Sequence, residues 1–60
     1  MKYRIWFEHE YLGSYTVESE ASDLYTLVGR INRGDITRTD ELTGDEITVY
    51  ESMISQIDII

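Results

Sequence analysis

The sequence has one imidazole, His9, and it stands between two carboxylates in Glu8-His9-Glu10. A histidine flanked this way has the makings of a general acid or base. It has no second histidine, no cysteine and no serine with an evident base beside it; Ser22 and Ser52 both lack one. A nucleophile and a base in reach of each other are the minimum for covalent catalysis. The expected place for His9 is therefore the exposed end of a strand. Asp40, Glu41, Asp45 and Glu46 flank Thr43-Gly44 and offer oxygen ligands suited to calcium or magnesium. Their spacing departs from the EF-hand loop, so a solvated charged turn is expected there, with no metal. Gly34 and Gly44 form no phosphate-cradling pattern, and no cofactor is expected. Lys2, Arg4, Arg30, Arg33 and Arg38 are too few and too scattered to track a nucleic-acid backbone. These side chains point to a protein that binds and does not catalyse.

Charge says more about what it binds. Residues 1–34 hold five acids against four bases, a net of −1; residues 35–60 hold seven acids against Arg38 alone, a net of −6; together they make the −7 of the whole chain. A field of this sign repels nucleic acid and membrane surfaces and attracts basic proteins. The same charge also serves solubility. No cysteine is present, so neither a disulfide nor a thiolate metal site is available, in keeping with a reducing cytoplasm. No run is apolar enough to span a membrane, and Met1–Phe7 lacks the apolar core and cleavage site of a signal peptide.

The elements that must position these groups are read from periodicity. Tyr3, Ile5 and Phe7 alternate with Arg4, Trp6 and Glu8, which predicts a half-buried strand over residues 2–9. Tyr15 and Val17 alternate with Ser14, Thr16 and Glu18 in a second strand, joined to the first by a turn through Glu10-Tyr11-Leu12-Gly13. Leu24, Leu27, Val28 and Ile31 then follow the i, i+3, i+4, i+7 spacing of a helix. Ser22 is the expected N-cap, Asp23 suits the first turn, and Gly34 is the expected stop. Gly29, at about 1 kcal/mol less favourable in a helix than alanine, suggests that something packs closely against it. Ile36–Thr39 is a short strand, 40–46 a turn, Ile47–Tyr50 a strand, and Met53–Ile60 an isoleucine-rich last strand. The expected fold is one α+β domain over residues 1–60: a small antiparallel sheet of four to five strands with one helix on one face, in the order β-β-α-β-β. One short helix leaves apolar strand surface uncovered at Trp6, Tyr50 or the Ile54 face. Such a patch is either a binding site or the seat of a second copy.

Glu51-Ser52-Met53-Ile54 follows directly on the Ile47–Tyr50 strand. This run resembles the Glu-Ser-hydrophobic strand of the Ugi-like uracil-DNA glycosylase inhibitors of phages. The resemblance covers four residues, and it lies near the end of this chain where the best-known member of the family carries it early. It implies a DNA mimic that occupies the enzyme's basic groove, with Glu51 and Ser52 as the groove-binding pair on an edge strand and Met53 and Ile54 as their apolar neighbours. It implies a supporting acidic field from Asp40, Glu41, Asp45, Glu46 and Asp58. Leu24, Leu27, Val28, Ile31 and Met53 would then line a pocket for an apolar finger of the enzyme. The simpler alternative for Glu51-Ser52 is a polar bend between two strands. The expected function is that of a small acidic DNA-mimic inhibitor, with an anti-CRISPR or anti-restriction inhibitor as one alternative. The other is a module that forms a homodimer through its open sheet face or its Ile57–Ile60 edge.

Overall fold

The computed structural model describes all 60 residues. The strand β1 (Lys2–His9) is the centre of the molecule. It pairs antiparallel with β2 (Gly13–Glu20) on one side and with β5 (Ile54–Ile59) on the other, giving a three-stranded sheet in the order β2-β1-β5. The alternation of β1 is realised as read: Tyr3, Ile5 and Phe7 are buried, while Trp6 and Glu8 are exposed on the opposite face. Cross-strand register builds the core from this row, since Ile5 sits between Val17 and Ile57 and the Phe7 ring stacks on Tyr15 at 5.8 Å.

The turn between β1 and β2 is organised by His9. Its Nδ1 accepts from the backbone N–H of Tyr11 (3.1 Å) and of Leu12 (3.2 Å). Gly13, at φ 101°, takes the left-handed conformation that lets the chain re-enter the sheet.

The helix α1 spans Leu24–Asn32, and Leu27 and Ile31 bury its inner face. Its N-cap is Asp23, one residue later than Ser22: the Asp23 carboxylate accepts from Thr26 N–H at 2.7 Å, and the Ser22 hydroxyl instead meets that of Thr26 at 3.2 Å. The N-terminus of the helix, not its first turn, thus claims the carboxylate. The C-terminus closes as a Schellman motif, with Gly34 N–H bonded to Ile31 O and Asp35 N–H to Arg30 O. Gly29 departs from expectation. A Cβ there would meet no atom within 4 Å, so no close approach requires the glycine.

The remaining strands, β3 (Thr37–Thr39) and β4 (Glu46–Thr48), form a separate two-stranded ribbon, so the five strands are divided between two sheets. The ribbon adds Ile36, Ile47 and Val49 to the core. The strand expected over Ile47–Tyr50 ends at Thr48, although Val49 N–H carries the ladder one pair further by bonding Ile36 O (2.9 Å), and the Val49 side chain is fully buried. Glu51–Met53 is a single 3-10 turn leading into β5. The edge strand expected at Glu51-Ser52 is therefore corrected to the polar bend. A serine bulge follows, where β1 shifts register between Trp6 and Phe7 and Ser55 Oγ donates to Trp6 O.

Candidate functional site

Three segments remote in sequence meet at the turn end of the sheet. His9, Glu10 and Tyr11 come from the β1–β2 turn, Glu46, Ile47 and Thr48 from β4, and Tyr50 and Met53 from the 3-10 turn. Together they enclose an open cleft of about 410 Å³. Tyr11 is 84% exposed and Tyr50 58% exposed, so both rings stand out from the surface; buried Ile47 and half-buried Met53 are its apolar members. His9 and Tyr11 lie 6.2 Å apart with tilted rings. Acceptance at Nδ1 puts the His9 proton on Nε2, so its first duty is to hold the turn that carries Glu10 and Tyr11.

The electrostatics follow from how the cations are spent. Lys2 (3.3 Å) and Arg4 (3.0 Å) both face Glu18, and the bonds from Arg4 and then Lys2 hold its carboxyl below the ordinary range. Arg33 pairs with Asp35 at 3.1 Å. Arg30 donates to Ser19 Oγ and Glu20 O. Arg38 donates to Thr16 O at 2.6 Å, lies over the Tyr15 ring, and approaches Glu41 at 3.9 Å. Every base is thus engaged inside the molecule. The carboxylates of Glu8, Glu10, Glu20, Asp45, Glu46 and Glu51 have neither an ion-pair nor a hydrogen-bond partner. Two of these six, Glu10 and Glu46, line the same cleft as Tyr11 and Tyr50. A cleft lined by both carboxylates and aromatic rings suits a guanidinium or ammonium group, for which charge-assisted hydrogen bonds and cation–π contacts are the two matching interactions.

The residues singled out in the sequence separate into groups. Glu46 and Met53 line the cleft, and Glu51 and Ser52 adjoin it on the 3-10 turn, exposed and free of side-chain hydrogen bonds. Glu41 and Asp45 are exposed on the β3–β4 turn. Asp40 is corrected: at 5% exposure it belongs to the interior, where it accepts from Leu42 N–H (2.8 Å) and from the Tyr15 hydroxyl (2.9 Å). Those bonds, that of Leu42 foremost, hold its carboxyl below its usual value, while burial and then Asp40 raise the Tyr15 hydroxyl. Asp58 accepts from Trp6 Nε1 and Gln56. Leu27 and Ile31 are core; Val28 is half-buried and Leu24 half-exposed, and no helix residue lines this cleft or the smaller one of about 270 Å³ beside Trp6 and Arg38. Ile54 is half-buried opposite Phe7. Glu10 entered the sequence reading only as a neighbour of His9, and Tyr11 only as a turn residue. The signal that finds them is the twin acid-tyrosine pairing of Glu10-Tyr11 and Tyr50-Glu51.

Comparison with known family models, with curated proteins and with solved structures finds no match to this chain.

Proposed function

We propose that this protein is a non-catalytic inhibitor that binds the basic, DNA-holding groove of a DNA-processing enzyme. One observation carries the reading: every cation is consumed internally, while six carboxylates are left free and two of them line a cleft together with two exposed tyrosines. A surface finished this way rewards contact with arginines and lysines that ordinarily hold phosphate. Glu46 and Glu10 would meet the partner's cations, Tyr11 and Tyr50 would stack on them, and Glu51 and Ser52 would extend the contact along the groove. The cytoplasm, where such enzymes work, is the corresponding compartment.

A uracil-DNA glycosylase is the most specific target, from the likeness of Glu51-Ser52-Met53-Ile54. Uracil excision by a bacterial enzyme, with and without an equimolar amount of this protein, tests it. The expected result is stoichiometric inhibition that weakens as salt shortens the screening length from about 10 Å at 0.1 M to about 3 Å at 1 M. Glu46→Gln and Glu51→Ala should each weaken inhibition several-fold, and Glu20→Ala should not. Absence of inhibition removes this target, and equal effects of all three variants refute the cleft as the contact site. A second reading, an inhibitor of a restriction or CRISPR nuclease, is favoured by the exposed turn at Glu51-Ser52, which offers charge without a strand edge. There Ser52→Ala should be silent.

A further inference from the structure

The two outer edges of the three-stranded sheet are finished differently. Met1 and Ala21 exchange both backbone hydrogen bonds, at 2.9 and 3.0 Å. By alternation along an antiparallel pair, Tyr3–Ser19, Ile5–Val17 and Phe7–Tyr15 are also bonded pairs, and Ser14, Thr16, Glu18 and Glu20 turn their backbone outward. That edge is guarded. Arg38 Nη1 takes the Thr16 carbonyl and Arg30 Nη1 the Glu20 carbonyl, each at 2.6 Å, and Glu18 and Glu20 add like charge along it. Arginine-capped carbonyls and charged side chains are how sheets discourage a further strand.

The β5 edge has no such cover. Ile60 N–H donates to Lys2 O at 2.9 Å, so Asp58 and Ile60 turn their backbone toward β1 while Ile57 and Ile59 turn theirs outward. No side chain bonds those outward groups. The outward-turned Ile57 and Ile59 carry apolar side chains, and Ile59 is 64% and the following Ile60 48% exposed. The one charge on the strand, Asp58, already accepts from Trp6 Nε1 and Gln56 Nε2. We infer that β5 pairs antiparallel with β5 of a second copy of this chain, joining two three-stranded sheets into one of six strands.

Charge selects the register. Only two two-fold registers use the outward groups of Ile57 and Ile59. With the axis at Asp58, the two copies' Asp58 carboxylates stand directly opposite, a destabilising pair. With the axis at Ile57, Ile57 meets its own copy and Gln56 stands opposite the second copy's Asp58, while Ile59 falls opposite Ser55, the bulge residue at which the regular ladder ends. The Ile57 and Ile59 side chains of both copies then gather on one face. This second register lets two chains of net −7 approach along a strip with one charge per strand. A single edge strand buries less than the roughly 1,200–2,000 Å² of a stable complex, so the association is weak and concentration-dependent.

Sedimentation equilibrium across micromolar to millimolar protein tests the pairing, with the folded state of each variant checked by circular dichroism. The mass of the native chain should rise from 7.0 kDa toward twice that value. Gln56→Lys, at an exposed position, should tighten the dimer several-fold by facing Asp58, and Gln56→Glu should weaken it several-fold. Ile59→Lys should abolish it, and Tyr25→Lys on the exposed side of α1 should leave it unchanged. A native chain that stays monomeric overturns the inference and leaves the edge to a foreign strand. A dimer indifferent to the sign of the charge at position 56 overturns it as well, by refuting the register.

Discussion

Replacing Arg38 with alanine should loosen the ribbon that carries three of the eight residues lining the cleft, and the cost can be worked contact by contact. Arg38 stands on β3 with its side chain 33% exposed. Its Nη1 donates to Thr16 O across the gap between the two sheets at 2.6 Å, a charged hydrogen bond worth about 1.5–3 kcal/mol. Its guanidinium carbon lies 5.5 Å from the centre of the Tyr15 ring, which adds about 0.5–1 kcal/mol. The approach to Glu41 at 3.9 Å contributes close to nothing, since Glu41 is 88% exposed. Against these gains, Arg38 Nε is buried without a partner, and removing it returns about 1 kcal/mol. The net loss is about 2 kcal/mol, a large share of the roughly 3–5 kcal/mol that a core of this size supplies. With a urea slope near 1 kcal/mol per molar for so small a chain, the unfolding midpoint should fall by about 2 M. Urea titration followed by far-ultraviolet circular dichroism reads this directly. Arg38→Lys should recover at most half, because an ammonium lacks the planar fork that bonds the carbonyl and stacks on the ring together. Glu41→Ala should change stability by no more than about 0.5 kcal/mol. A loss from Arg38→Ala of under about 0.5 kcal/mol would refute the account, as would an equal loss from Glu41→Ala.

Other perturbations follow from the same contacts. Gly29→Ala should stabilise the protein by about 1 kcal/mol, raising the melting temperature by roughly 4–8 °C, because a Cβ there meets nothing and alanine is the better helix former; calorimetry that shows no rise would mean an unseen constraint at Gly29. The Asp40 carboxyl is held below its usual value, so its contribution is complete above about pH 4 and is lost as pH falls through the lowered folded value. The Tyr15 hydroxyl is raised, so its contribution holds below about pH 10 and is lost as pH rises through the raised folded value. Asp40→Asn should therefore flatten part of the acid limb of a urea-midpoint profile, with Glu18 and Asp23 retaining the rest, and Tyr15→Phe should flatten the alkaline limb; unchanged limbs would remove the pair as their source. His9→Asn should hold the first turn, since its amide oxygen replaces Nδ1 as acceptor, while His9→Ala should speed amide exchange at Tyr11 and Leu12. Equal exchange in the two variants would show that the turn does not depend on His9.

What the sequence by itself determined was whatever a few neighbouring residues decide. The alternation of Tyr3, Ile5 and Phe7, the stripe ending in Leu27 and Ile31, and the glycine stops at Gly13 and Gly34 all appear as read, because periodicity and a left-handed backbone are local properties. The α+β class followed from them. The net negative field was equally plain in the composition. Tertiary structure decided which charges remain free. Asp40 looks like its neighbour Glu41 in the sequence, yet one is buried against Tyr15, 25 residues away, and the other is exposed. Arg38 looks like a lone base in an acidic half, yet it locks β3 to β2 through Thr16, 22 residues back. The cleft exists only because packing of Ile36, Ile47 and Val49 over β1 brings Glu46 and Tyr50 to the turn that holds Glu10 and Tyr11. The physical reason is common to all three. A carboxylate or a guanidinium takes its role from partners that chain folding delivers, and local spacing carries no record of a partner dozens of residues away.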